Sequence, residues 1–144
     1  MPFKQEDWAK AQPRLTAARE LYLTYKRQAS GARDRDLLDD AILKAWTFGE
    51  YAINACLEKV KTAAVQDHSQ PSQARLLFDA KHLSQDYFNP LEKLERFRKK
   101  ASHLGYVKEA STHYSSADVD RCLTAMEALN AEVEALLAKG HPKP

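Results

Sequence analysis

The sequence predicts an all-α protein, an antiparallel bundle of four main helices and one short helix. Apolar residues recur at alternating steps of three and four along most of the chain, which is the spacing of one helix face. β-branched residues do not cluster in the alternation of a strand, and only four glycines occur, few for a fold with many tight turns. The 144 residues contain no repeat or low-complexity linker. They therefore predict one domain, 1–144, with flexible ends at 1–7 and 139–144.

The first helix is predicted from an apolar stripe near the N-terminus. Its positions step by 3, 4, 3, 4 and 3 through Trp8, Ala11, Leu15, Ala18, Tyr22 and Tyr25. Proline fits the first turn of a helix and disrupts its interior, so the stable helix is expected to start near Pro13, with any earlier turn kinked away. Ser30 and Gly31 are expected to end this segment.

A long second helix follows, with Asp34 or Asp36 as its N-terminal cap. Its apolar stripe comprises Leu38, Ala41, Ile42, Ala45, Gly49, Ala52, Ile53, Cys56 and Val60. A glycine inside a helix costs about 1 kcal/mol relative to alanine. Gly49 therefore predicts the close approach of another helix.

The remaining connections contain turn residues. The segment DHSQPS, 67–72, predicts a loop, and a short helix is expected at 74–83, before Asn89. Pro90 suits the first turn of the next helix, which Gly105 is expected to end. In the turn HYSS, 113–116, Ser115 and Asp118 have the spacing of a capping box for the last helix.

The last helix carries an apolar seam that suits a neighbouring helix at a shallow angle. The seam is formed by Val119, Cys122, Met126, Leu129, Val133 and Leu136, and the predicted core includes Cys56, Met126, Leu129 and Val133. Cys56 and Cys122 lie in apolar stripes and outside any C-x-x-C pair, which is typical of buried thiols in a reducing compartment. A Cys–His nucleophile pair would require one of these thiols to be accessible.

The sequence excludes most familiar site chemistry. No two of the five histidines are three or four residues apart, and no Glu-x-x-His pair occurs, so neither a metal site nor a cofactor is expected. Gly-rich phosphate loops, G-x-S-x-G and H-E-x-x-H are missing from the sequence. Apolar runs fall short of the roughly 20 residues that span a bilayer, and MPFKQEDW lacks the apolar stretch of a signal peptide. We therefore expect a soluble cytoplasmic protein that does not bind membranes.

Charge is unevenly distributed, although the formal net charge is only +2. Residues 96–108 contain five lysines or arginines and no acid, whereas residues 116–137 contain five acids and one arginine. This pattern has two interpretations. The basic segment meets an anion, or both segments are solvated helix faces.

Arg98 and His103 are the candidate site residues within the basic segment. On an ideal helix the apolar face is formed by Leu91, Leu94, Phe97 and Ala101. Arg98 lies at the edge of that face, and His103 points roughly 160° away from it. A structural interpretation also stands, because a histidine suits the negative end of a helix dipole and an arginine stem can cover apolar neighbours.

The run Arg98-Lys-Lys-Ala-Ser-His103, near the end of a helix in an all-α chain of this length, resembles the HEPN domain superfamily. Members of that group carry an R-x(4–6)-H motif at a comparable place. The segments GEYAINACLEKV, KHL (81–83), and HLGY followed by SSADVDRCLTAMEAL are also similar to the group, so the resemblance covers roughly 33–138. Lys99 stands where many catalytic members have Asn, Asp or His, and Tyr106 lies one residue beyond the H-x-Y position of some toxin members.

This resemblance implies a metal-independent RNA endonuclease, often the toxin of a toxin–antitoxin pair or a defence factor. Arg98 would hold phosphate oxygens and His103 would act as base or acid, with a two-fold homodimer joining two motifs in one composite site. The other implied residues are Arg96, Lys99, Lys100 and Lys108 for RNA binding, with Tyr106 and Ser102 as accessory candidates. Two alternatives stay open. One is a non-catalytic RNA-binding or adaptor module that pairs with an antitoxin or nucleotidyltransferase-like protein, and the other is a dimerisation bundle joined through the last helix.

Overall fold

The computed structural model describes residues 5–27, 35–60, 70–102 and 115–138, which form five helices. The helices are α1 Gln5–Arg27, α2 Arg35–Lys59, α3 Gln70–Asp79, α4 Phe88–Ser102 and α5 Ser116–Ala138. These ranges contain no strand, which confirms the all-α prediction of four longer helices and one short one. No described helix combines the length and the apolar character that crossing a bilayer requires.

Helix α2 lies at the centre of the bundle, because each of the other four helices packs against it. All five helices contribute to one hydrophobic core. The four residues predicted inside, Cys56, Met126, Leu129 and Val133, are fully buried. The core prediction is therefore confirmed.

Gly49 lies where two helices meet α2. A Cβ atom at this position would lie 2.6 Å from Cδ2 of Leu91 on α4 and 3.4 Å from Sδ of Met126 on α5. The first distance is far shorter than a van der Waals contact, so α4 can approach α2 this closely only because residue 49 has no side chain. The predicted close approach at Gly49 is confirmed.

The apolar seam of α5 faces the interior of the same chain. Five of its six predicted positions are buried and Leu136 is partly buried. Helix α5 packs against α1, α2 and α4. The seam is therefore already covered, and the interpretation of this face as a dimerisation surface is wrong.

Helix α1 is longer than the sequence predicted. It begins at Gln5 and continues through Pro13, so the expected start near Pro13 is wrong. The helix also takes in residues 5–7, which the sequence analysis assigned to a flexible end. Pro13 is exposed, whereas Trp8 and Ala11 before it are buried. Burial of a tryptophan offsets much of the cost of about 3 kcal/mol for a proline inside a helix.

Helix α3 starts and ends earlier than predicted. It runs from Gln70 to Asp79, so the loop prediction is wrong for residues 70–72 and the helix prediction is wrong for residues 80–83. Pro71 fits the first turn of this helix, and its buried side chain adds to the core contacts there.

The end of α3 is set by a left-handed residue. Lys81 has a φ of 68°, and the backbone N–H of His82 donates to the carbonyl of Leu77 at 2.9 Å. The N–H of Lys81 donates to the carbonyl of Phe78, also at 2.9 Å. These two bonds form a Schellman motif, which usually has glycine at the left-handed position. Because this position is a lysine, the turn could not be predicted from residue type.

The predicted capping box at the start of α5 is confirmed. The Ser115 hydroxyl oxygen accepts the backbone N–H of Asp118 at 3.1 Å, and Oδ2 of Asp118 accepts the backbone N–H of Ser115 at 3.1 Å. Arg121 donates to the other carboxylate oxygen at 2.8 Å. The hydrogen bond from the Ser115 backbone is the main cause that lowers the pKa of Asp118 below its ordinary value. Asp118 is therefore held ionised in the folded protein.

Other predicted boundaries lie outside the described residues. These are the helix end at Ser30 and Gly31, the cap at Asp34, the helix end at Gly105 and the segment 139–144. The side chain of Asp36, the second candidate cap of α2, also lies outside the described part.

We expect Gly49→Ala to lower the free energy of unfolding by about 1 kcal/mol. Alanine gains about 1 kcal/mol in helix propensity, but displacing the buried Leu91 costs about 1–3 kcal/mol. Urea denaturation measures the net change. In a Gly49→Ala/Leu91→Ala protein the cavity left by Leu91 accepts the new methyl group. The free energy of unfolding of this protein should therefore fall by less than the sum of the falls in the two single variants. A Gly49→Ala protein more stable than the wild type would contradict the close approach.

We expect Ser115→Ala to lower the free energy of unfolding by about 0.5–2 kcal/mol at pH 7. The neighbouring Ser116→Ala is the matched control, since Ser116 takes no part in the capping box, and its effect should be smaller. The ionised Asp118 contributes stability above the unfolded pKa of about 3.9, and this contribution is lost as pH falls through the lower folded value. Asp118→Asn should therefore flatten the acid side of the stability–pH curve. An unchanged curve would show that the box does not hold the carboxylate.

Candidate functional site

The candidate site is built on α4, whose position is set at its beginning by side chains. Oδ1 of Asp86 accepts the backbone N–H of Phe88 at 3.0 Å, and Pro90 lies in the first turn, as predicted. Leu91 and Leu94 are fully buried. This stripe places Arg98 at the edge of the core, where it is half-buried. The predicted edge position of Arg98 is confirmed.

The guanidinium of Arg98 lies over the indole ring of Trp46 on α2. Its Cζ atom is 5.7 Å from the ring centroid. Its Nε atom is buried and has no hydrogen-bond partner, which costs about 1–3 kcal/mol, whereas the cation–π contact returns about 0.5–2 kcal/mol. Among the described residues no carboxylate pairs with Arg98. The Nη groups of Arg98 are therefore left for an acceptor outside the described part of the bundle.

Most of the other arginines with described side chains form salt bridges with carboxylates. The pairs are Arg19 with Asp120 and Glu127, Arg75 with Asp86, Arg96 with Glu92, and Arg121 with Asp118. Arg14 resembles Arg98, since it lies over the ring of Tyr51 at 5.7 Å. However, Arg14 shares an open groove of about 310 Å³ with Asp40, which already pairs with Lys44. Arg98 is accordingly the better candidate for binding an anion.

Arg96 has a compensating acid one turn earlier on α4. Its Nη2 atom is 3.2 Å from Oε1 of Glu92, outside the segment in which the sequence shows only basic residues. Both side chains are about half exposed, so the pair contributes less than about 1 kcal/mol. The inference that the basic charge is uncompensated is therefore wrong for Arg96. This weak pair can still open to let Arg96 contact a phosphate.

The remaining predicted site residues lie wholly or partly outside the described part of the chain. Lys99, Lys100 and Ser102 lie on α4, but their side chains are outside the described part of the chain. His103, Tyr106 and Lys108 are outside the described residues altogether. The roles of these six residues stay predictions. The described helix ends at Ser102, the residue directly before His103.

Three acids of α5 are bound to other elements of the bundle. Arg19 of α1 contacts Asp120 at 2.7 Å and Glu127 at 2.8 Å. The hydrogen bond to Glu127 is the main cause that raises the pKa of Arg19 above its ordinary value. Asp120 and Glu127 therefore join α5 to α1. The acidic segment is not simply a solvated face, as one sequence interpretation had it.

Glu132 joins α5 to the connection between α3 and α4. It accepts the hydroxyl of Tyr87 at 2.5 Å and the backbone N–H of Ser84 at 2.6 Å. Burial and the hydrogen bond to Glu132 raise the pKa of Tyr87 well above its ordinary value. Tyr87 is thus a protonated donor that fixes the chain just before α4, which in turn fixes the helix that carries Arg98.

Sequence reasoning missed two residues beside Arg98. Trp46 continues the α2 stripe at the positions 42, 46, 49 and 53, so its burial could have been predicted from spacing, although its partner could not. Glu95, one turn before Arg98, has a buried Oε2 atom without a hydrogen-bond partner. Nothing in the local sequence distinguishes Glu95 from the other acids of α4.

Both cysteines are buried thiols, as predicted. Burial raises the pKa of Cys56 to about 12 and that of Cys122 to about 11. The thiolate is therefore scarce at neutral pH, which rules out a Cys–His nucleophile at either position. In the described ranges no group of three His, Cys, Asp or Glu side chains is placed to hold a metal ion.

No protein-family model, curated protein or solved structure matches this chain. Its function is therefore inferred from its own residues. The features that bear on function are the half-buried Arg98 on its aromatic support and the basic run that follows it along α4.

We expect Cys56 and Cys122 to react with Ellman's reagent only as fast as the protein unfolds locally. Both thiols are buried and protonated, so the folded state offers neither access nor thiolate. The measurement compares the reaction at pH 8 in buffer and in denaturant, where both thiols should react within the mixing time. Rapid reaction of one thiol in buffer would contradict the burial described above.

Proposed function

We propose that the protein is a metal-independent endoribonuclease of the HEPN type, acting as a toxin or defence factor. One observation supports this proposal most directly. Arg98, the first residue of the R-x4-H motif, is half-buried over Trp46 and has no carboxylate partner among the described residues. Four of the other described arginines, by contrast, pair with an acid, as Arg19 does.

The proposed reaction is attack of the ribose 2′-hydroxyl on the adjacent phosphorus. A base removes the 2′-proton, the new O2′–P bond forms, and the P–O5′ bond breaks as an acid gives a proton to the leaving 5′-oxygen. Arg98 would bind two phosphate oxygens and stabilise the charge of the phosphorane. His103 would transfer the protons, because imidazole titrates near neutral pH.

One motif supplies one histidine, whereas the reaction uses a base and an acid. A two-fold homodimer that brings two Arg98/His103 motifs into one cleft would supply both, and isologous dimers are the commonest assembly. The buried α5 seam cannot form that contact, so another face of the protein has to form it. Arg96, Lys99, Lys100 and Lys108 would bind neighbouring phosphates of the RNA.

A second candidate function is favoured by Lys99, which follows the motif arginine. In the HEPN group many catalytic members have Asn, Asp or His there. The candidate is a non-catalytic module that binds RNA, or an adaptor for an antitoxin or nucleotidyltransferase-like partner. This module would use Arg98 and the lysines of α4 but would not need His103.

We expect the purified protein to cleave RNA in EDTA and to leave DNA of the same sequence intact, because DNA lacks the 2′-hydroxyl. His103→Ala should slow cleavage by about 10²–10⁴-fold with little change in affinity. Arg98→Ala should slow it by about 10²–10³-fold and also weaken binding. The rate should follow a bell-shaped dependence on pH, as expected when one imidazole has to be protonated and the other neutral.

His82→Ala is the matched histidine control, because His82 is exposed in the turn after α3, and it should cleave like the wild type. Equal cleavage by His103→Ala and wild type would refute the catalytic assignment. RNA binding without cleavage by the wild type would instead support the non-catalytic module. Sedimentation of a strict monomer at micromolar concentration, with and without RNA, would count against the composite site.

A further inference from the structure

The orientation of the Arg98 guanidinium depends on a single described contact. An arginine side chain has four rotatable bonds, and it is usually fixed by a carboxylate or by several hydrogen bonds. Here the described part of the chain supplies no carboxylate, and Nε is buried without a hydrogen-bond partner. Within the described part of the chain, the indole face of Trp46, whose centroid is 5.7 Å from Cζ, is the contact that restrains the guanidinium.

Trp46 is itself held rigidly. Only 1% of its surface is exposed, and it lies on α2, the helix against which all the others pack. One turn further along α2, Gly49 lets α4 approach until Leu91 occupies the place of a side chain. The distance between α2 and α4 is therefore fixed close to Trp46. A rigid aromatic on one helix thus supports a charged side chain on the other.

We infer that Trp46 is a positioning residue, which holds the guanidinium of Arg98 so that its Nη groups are presented to a phosphate of the RNA. This inference rests on the proposed function. A cation–π contact restrains the guanidinium and uses none of its Nη donors, so the bidentate edge stays free. A clamp oriented before the substrate arrives needs no rearrangement during the reaction. Lysine cannot reproduce this arrangement, because its ammonium group has no bidentate edge.

The test compares Trp46→Phe, Trp46→Leu and the control Phe48→Leu, each alone and with Arg98→Ala. Phe48 is a suitable control because it is also fully buried on α2 but packs against Trp8 of α1. Binding is measured with a 2′-O-methyl RNA oligonucleotide, which cannot be cleaved by attack of a 2′-hydroxyl. Denaturation of each variant shows whether the two leucine variants lose comparable stability.

We expect Trp46→Leu to weaken binding by about 2- to 30-fold, the range that corresponds to one cation–π contact. Trp46→Phe keeps an aromatic face and should stay within about 3-fold of the wild type, since phenylalanine supports a weaker contact of the same kind. Phe48→Leu should leave affinity unchanged. In the Arg98→Ala background Trp46→Leu should have no further effect, because Trp46 acts through Arg98.

Equal weakening by Trp46→Leu and Phe48→Leu would overturn the inference, since Trp46 would then be only a core residue. A further loss on adding Trp46→Leu to Arg98→Ala would overturn it as well.

An NMR measurement separates this inference from the proposed function, because it needs no RNA. The Nε–H of Arg98 is buried, so its signal should exchange slowly and be displaced by the ring current of the indole. The displacement should be smaller in Trp46→Phe, absent in Trp46→Leu and unchanged in Phe48→Leu. A wild type that binds no RNA but shows this displacement refutes the proposed function and supports the contact between Arg98 and Trp46. A wild-type signal without displacement overturns the inference, whatever the RNA result.

Discussion

The arrangement of the bundle depends on the missing side chain at Gly49. Helix α2 is the common neighbour of the other four helices, and at Gly49 both Leu91 of α4 and Met126 of α5 approach its backbone. A larger residue there would displace the side chain of Leu91 and press against that of Met126. The packing of α4 close to Trp46 and the packing of the α5 seam would then change together. Gly49 thus affects both the packing of the core and the position of the helix that carries the candidate site.

The acidic segment of α5 and the basic segment at the end of α4 differ in the contacts that their described side chains make. Their sequences alone do not reveal this difference, because each is a run of charges of mainly one sign. Three of the five acids of α5, Asp120, Glu127 and Glu132, are bound by Arg19, Tyr87 and Ser84, so they stabilise contacts between elements, and a fourth, Asp118, forms the capping box. Arg96 and Arg98, the two basic residues of α4 whose side chains are described near its end, have fewer partners. Within the described ranges Arg98 makes an aromatic contact and no ion pair, and Arg96 has a weak surface pair with Glu92. An anion that binds Arg96 or Arg98 would therefore displace few of the described contacts of these side chains.

Features with a local signal could be predicted from the sequence, and features made by distant residues could not. The α5 seam, the approach at Gly49 and the Ser115–Asp118 box follow from spacing within one segment. The Arg19–Asp120 pair joins residues 101 positions apart, and no spacing rule connects them. The same limit applies to Trp46 and Arg98, whose separate positions were predictable but whose contact was not. The prediction from Pro13 was wrong at α1, because burial of Trp8 offsets much of the local cost of a proline inside the helix.

The left-handed turn at Lys81 has a consequence for how this protein can diverge. Glycine or asparagine would adopt that backbone conformation at lower cost, and a β-branched residue would be strained there. Descendants are therefore expected to drift towards Gly or Asn at this position and to avoid Val, Ile and Thr, while the exposed side chain itself is under little constraint. Sequences of distant relatives share few identical residues, so identity alone would not align them. A residue that tolerates the left-handed conformation at position 81 and a small residue at position 49 could then serve as reference points for the alignment.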